Sequence, residues 1–161
     1  MDDERRIEEV MARYLRAADH RDPATMADVF VDDGLVEVFC YGEGKLELLG
    51  QVRGADNIGQ AVAGLMSPHP PNGWSHHTTV NPIIAVTDET GTFDAQFIVY
   101  NVVAYERPAA GWPADASGAQ GTITPIETGY MYTTLRRTGG RWKIVKHIIK
   151  HDLPYAFPQP A

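Results

Sequence analysis

The sequence has a single cysteine, Cys40, among its 161 residues, so no intrachain disulfide and no paired-cysteine zinc site is available to it. It has no glycine-rich phosphate loop and no G-x-S-x-G nucleophile elbow, and Gly42-Glu43-Gly44 is turn material. No apolar run approaches the ~20 residues that a membrane-spanning helix needs. Positive charge is in short supply: 14 Lys and Arg face 21 Asp and Glu, leaving a net charge of −7. Such a surface repels phosphate backbones and anionic lipid, so neither nucleic acid nor membrane is expected as a partner. The opening residues, Met1-Asp2-Asp3-Glu4-Arg5-Arg6, are not followed by the apolar segment of a signal peptide. A cytoplasmic location is the resulting expectation. No internal repeat is visible, and the length suits one domain over 1–161.

Hydrophobic residues make up 43% of the chain, enough for a core. Ile7, Val10, Met11, Tyr14, Leu15 and Ala18 follow the helical spacing of one buried stripe, which predicts a helix over about 3–20. Asp22-Pro23 reads as an N-cap followed by proline at the first helical position. That short helix would bring Ala24, Met26, Ala27 and Phe30 to the core. Asp32-Asp33-Gly34 reads as a turn before a strand at about 35–41. A third helix opens at Gly54-Ala55-Asp56, with Ile58, Ala61, Val62 and Leu65 on one face. Strands are expected at about 75–87, 92–106, 124–138 and 141–152. The Pro-rich end, 153–161, cannot extend a helix or central strand and is expected to cover a cavity or a subunit interface. Helices first and antiparallel strands afterwards give an α+β fold, with the sheet curled around the long first helix.

Few residues stand out chemically. Asp19 lies at the edge of the apolar stripe near the end of the first helix, where a carboxylate could orient a base. Tyr14, at the centre of the stripe, could donate its phenol to a substrate oxygen. His76 and His77 alternate, so only one can face the interior. Val80, Ile84 and Val86 share the parity of His76, but Pro82 suggests a bulge that would reverse the parity partway along. His147 and His151 sit on the last strand; His147, the more central, is the expected catalytic pocket residue, where it or Asn101 would join Tyr14 in donating to a substrate oxygen. Phe30, Tyr100 and Tyr132 are candidate pocket aromatics, with Asn101 as a polar neighbour and Val38 and Cys40 as walls on one parity. No metal site and no cofactor is expected.

The stretches Ala12–Asp22, Phe30-Val31-Asp32-Asp33-Gly34, Gly54–Ile58, His76–Pro82 and Gly140–His147 occur in an order that resembles the SnoaL-like family. That family is a branch of the nuclear-transport-factor-2-like superfamily. The resemblance implies a cone: a curved antiparallel sheet wrapped around a long N-terminal helix, with two further short helices. Within the family the chain is most similar to the scytalone dehydratase-like and bile-acid 7α-dehydratase-like branch. By that resemblance Asp19 and His77 form an acid–base pair, and Tyr14 stands where the bile-acid enzyme has a tyrosine. The chain departs from the family at His147, where dehydrochlorinase-like members have arginine. It departs again near Asn101, where scytalone dehydratase has histidine. The implied activity is a cofactor-independent, dehydratase-type lyase acting on a small hydrophobic, ring-bearing substrate. An isomerase or aldol-type cyclase using the same proton abstraction is one alternative; a non-catalytic ligand-binding module is another. Similar proteins pair into homodimers, with a trimer as the alternative.

Overall fold

The computed structural model describes residues 2–64, 66 and 69–156. Leu65, Ser67, Pro68 and the end of the chain from Phe157 onward lie outside the described residues, and with them the expected place of Leu65 on the third helix and of 157–161 over a cavity or interface.

The first helix, α1, runs Asp3–His20. The Asp2 side chain caps it by accepting from the Arg5 N–H at 2.9 Å, and Arg21 ends it in the left-handed conformation (φ 54°). Its buried face holds Ile7, Met11, Tyr14, Leu15, Ala17, Ala18 and Asp19. The short α2 (Pro23–Asp28) starts on the Asp22 carboxylate, which accepts from Ala24 and Thr25. The third helix, α3 (Ala55–Gly64), lies against α2 so closely that a Cβ on Gly59 would collide with the Pro23 carbonyl oxygen.

Six strands follow the order β2-β1-β6-β5-β4-β3 across one sheet. They are β1 (Phe30–Gly42), β2 (Lys45–Arg53), β3 (Gly73–Thr87), β4 (Thr90–Ala104), β5 (Gly121–Thr138) and β6 (Arg141–His151). The α+β class holds, but the expected antiparallel cone does not. The sheet is mixed, because β1 and β6 run parallel, and it remains open rather than curling strongly around α1. The reason lies in the connections. Hairpins make their neighbours antiparallel, whereas β1 and β6 are brought together from opposite ends of the chain and no hairpin fixes their direction. α1 packs on the inner face, against β3, β4 and β6.

Two irregularities decide which side chains face inward. In β3 the pairing with β4 shifts between Val80 and Ile83, and Asn81 takes φ 51°. This bulge lets His77 and Ile84 both face inward although their parities differ. In β6, Val145 is the extra residue between Ile144 and Lys146 where they pair with Leu135 and Thr134. Trp142 and Ile144 are therefore buried on one parity, and His147 on the other. The same point distorts β1, whose pairing with β6 jumps from Phe30 to Leu35. Asp32-Asp33-Gly34 is thus an irregular stretch inside a strand rather than a turn before it, and Phe30 begins β1 rather than ending α2. The core gathers Ile7, Met11, Met26, Phe30, Phe93, Leu135 and Ile144; burying a side chain of this size contributes about 1.5–3 kcal/mol.

Candidate active site

Asp19 is 5% exposed, one residue before the last of α1. Its carboxylate meets the start of β3. Oδ1 lies 2.5 Å from His77 Nδ1, and the His77 backbone N–H donates to Oδ1 at 3.0 Å and to Oδ2 at 3.2 Å. His76 points to the other face; its Nδ1 stays 3.9 Å from Oδ2 and its side chain is largely exposed. The contact fixes His77 as the Nδ1–H tautomer, leaving Nε2 as the ring's basic nitrogen. The Asp19 backbone carbonyl lies 2.7 Å from His69 Nε2, and the His69 ring stacks on Trp74. Arg21 lies close by. Burial pulls its guanidinium down, and the charge of Asp19 opposes that pull.

His77 opens on a cavity of about 160 Å³ walled by Tyr14, Leu15, Phe97, Met131 and Ile149. Three further polar groups face it: Glu127, His151 and Tyr155. A second chamber of about 420 Å³ shares Tyr14, Met26, Val38, Val62, Met66 and Ile149 with the first. It continues between α3 and the β1–β2 hairpin to Val36, Val52 and Ile58, with no charged residue among the described residues of its lining. The site is thus a polar end beside Asp19 and His77 joined to an apolar chamber. Another cleft of about 180 Å³, between Arg6 and Arg141, lies on the far side of α1 and holds none of these groups. Among the described residues no cluster of three or more His, Cys, Asp or Glu is placed to hold a metal. Nor is any helix among them long and apolar enough to cross a membrane.

The other expected site residues are distributed as follows. Tyr14 and Val38 line both chambers. Burial pushes the Tyr14 phenol well up, so it is a neutral O–H. His147 is fully buried; Nδ1 lies 2.8 Å from Thr133 Oγ1 and its ring 4.4 Å from that of Tyr14. Burial lowers its pKa to about 3, and it stands behind Tyr14 as a neutral core residue outside the lining of either chamber. Phe30 is likewise a core residue, edge-on to Tyr14 at 6.1 Å. Cys40 is buried on β1 opposite His151. Tyr100 pairs with His76, and Asn101 with Ser75; neither lines a chamber. Tyr132 is a correction to the expected site: it alternates with buried Met131 and Thr133, so it lies on the outer face beside Tyr130, Asp94 and Lys150.

Glu127 was not anticipated, although the signal was present. It shares the parity of Met131 and Leu135, which puts a carboxyl on the inward face of β5. His151, not the more central His147, lines the cavity. Its ring is held between Tyr155, stacked at 4.6 Å, and the edge of Phe97 at 5.6 Å.

The SnoaL-like domain model matches residues 1–147, and the chain belongs to that family, within the nuclear-transport-factor-2-like superfamily. No curated protein matches the chain. Solved structures share the fold at low identity. A protein of unknown function with a cystatin-like fold from Nostoc punctiforme is 18% identical, with a TM-score of 0.68 over 94% of both chains. The β subunit of a candidate aromatic-ring-hydroxylating dioxygenase from Novosphingobium aromaticivorans is 15% identical, with a TM-score of 0.66 over 94% of this chain and 90% of that one. A candidate dehydratase of the nuclear-transport-factor-2-like family from Streptomyces avermitilis is 13% identical, with a TM-score of 0.57 over 93% of this chain and 96% of that one.

Proposed function

We propose that this chain is a cofactor-independent lyase of the dehydratase type, acting on a small hydrophobic, ring-bearing β-hydroxy carbonyl compound. The observation that carries the reading is the 2.5 Å contact between Asp19 and His77 at the edge of an apolar cavity. His77 Nε2 removes the proton next to the carbonyl. Asp19 holds the ring in the right tautomer and stabilises the imidazolium that forms; general base catalysis of this kind supplies roughly 10²–10⁴-fold. Tyr14 donates its phenol to the carbonyl oxygen, where negative charge develops. The apolar chamber takes the ring, since its walls are aliphatic apart from Tyr14 and Gln51. The likeness to the Streptomyces protein and the scytalone dehydratase-like and bile-acid dehydratase-like branch is in keeping with this reading. The test is turnover of 4-hydroxy-4-phenylbutan-2-one to its conjugated enone, followed by ultraviolet absorbance. The unaltered protein is expected to catalyse it and His77→Gln to lose at least ~100-fold. Equal rates for the two would remove His77 from the reaction.

A further inference from the structure

The inner face of the sheet carries a second acid–base group opposite the first. His77 on β3 pairs with Val99 on β4, and Val99 pairs with Glu127 on β5. The two titratable residues therefore flank Val99 in one row across three strands. Neighbouring strands are ~4.8 Å apart, which puts their backbones roughly 10 Å apart. Both side chains line the same cavity. A base and an acid that flank a bound two-carbon unit can take a proton from one carbon and give one to the oxygen leaving the next, and the row supplies such a spacing.

Among the described residues the Glu127 carboxyl makes no hydrogen bond. Its Oε2 lies 3.6 Å from His151 Nδ1, beyond hydrogen-bond distance, and that nitrogen is buried without a hydrogen-bond partner. A carboxyl at this distance from the ring can turn toward a ligand without breaking a hydrogen bond. The charge balance agrees. Burial pushes the Glu127 carboxyl up, with His77 opposing it. Burial also pulls the His151 ring down, His77 adding to the effect and Asp152 opposing it. Both shifts favour the uncharged forms of the two side chains.

We propose that Glu127 is the general acid that protonates the leaving oxygen. The assignment rests on the lyase reading above. His77 Nε2 takes the proton from the carbon next to the carbonyl, and the C–H electron pair becomes the new C=C bond. The C–O bond breaks toward oxygen, which takes the Glu127 proton and leaves as water. His77 is left as imidazolium and Glu127 as carboxylate. Return of the proton from the one to the other, through water in the emptied cavity, restores both. No oxidant or other reactant is needed.

A leaving group that needs no proton separates this role from a structural one. The probes are 4-hydroxy-4-phenylbutan-2-one and its acetate ester, which give the same enone with water or acetate as the second product. Glu127→Gln is expected to slow the hydroxy compound ~100-fold and the acetate ester less than ~3-fold. Glu127→Asp, which keeps an acid one methylene further back, should fall between the two on the hydroxy compound and leave the ester unchanged. Thermal melting of both variants checks folding, and the ratio of the two substrates is independent of how much protein is folded. Equal losses on both substrates, or none on either, would overturn the assignment and leave the lyase reading in place. Failure of the unaltered protein to turn over either compound would remove the lyase reading and this assignment together.

Discussion

The His77 backbone N–H donates to both carboxylate oxygens of Asp19, so the two residues are joined by main chain as well as by ring. An acceptor at position 19 is therefore structural, while its charge serves the imidazole. Asp19→Asn keeps an acceptor for the N–H and loses the charge that orients and stabilises the ring. We expect its turnover to fall by roughly 10²–10³-fold while its melting temperature moves by only a few degrees. Parallel kinetics and calorimetry decide it. A collapse of the fold would make the pair structural, and undiminished turnover would remove the carboxylate from the reaction.

Tyr14 makes no hydrogen bond through its hydroxyl among the described residues, although its ring packs against Phe30 and His147. Tyr14→Phe therefore keeps the packing and costs at most about 1 kcal/mol of stability. If the phenol polarises the carbonyl, kcat should drop ~10-fold or more. A denaturant titration beside steady-state kinetics tests the two halves of this expectation separately.

His147 gives the fold an acid-sensitive point. Its folded-state pKa, lowered by burial to about 3, is below the ordinary 6.5, so the unfolded chain binds the proton more readily. The stabilisation is complete above pH 6.5 and is lost as the pH falls from there toward 3, at about 1.4 kcal/mol per unit. His147→Gln should be less stable at neutral pH, having lost the native packing against Tyr14, and should show a shallower decline between pH 6 and 4. Urea midpoints for both proteins across that range measure the difference; identical slopes would contradict the burial argument.

Gly129 lies where β5 crosses under Phe97, and a Cβ there would run into the Lys150 carbonyl oxygen and the Phe97 ring. Gly129→Ala should cost more than ~2 kcal/mol, a fall in melting temperature of at least ~5 °C. Because Phe97 also buttresses His151, the loss should extend to the site. A melting temperature unchanged by the substitution would show that the strands can part at no cost.

Much of the fold could be read from local pattern. The stripe from Ile7 to Ala18 and the Asp22-Pro23 cap are consequences of periodicity and backbone chemistry, and each lies where expected. The resemblance carried by the segments around Asp19 and His77 brought those two residues together before any geometry did. Parity alone pointed the other way for His77, and Pro82 was the one clue to the bulge that reverses it. Glu127 could have been found by counting parity from Met131. Parity does not place Tyr132, because the inner face of β5 is set by Met131, Thr133 and Leu135, of which only two are hydrophobic.

Composition, periodicity and capping determined the α+β class, the three helices and most strands, because those features act within a few residues along the chain. The tertiary structure alone decided the parallel pairing of β1 with β6, the open sheet and the bulge at Val145. It also decided that His151 rather than His147 reaches the cavity, and that Glu127 stands across Val99 from His77. These depend on which strand lies beside which. A strand's inward face is set by its partners' register, and one extra residue in the pairing turns every later side chain over.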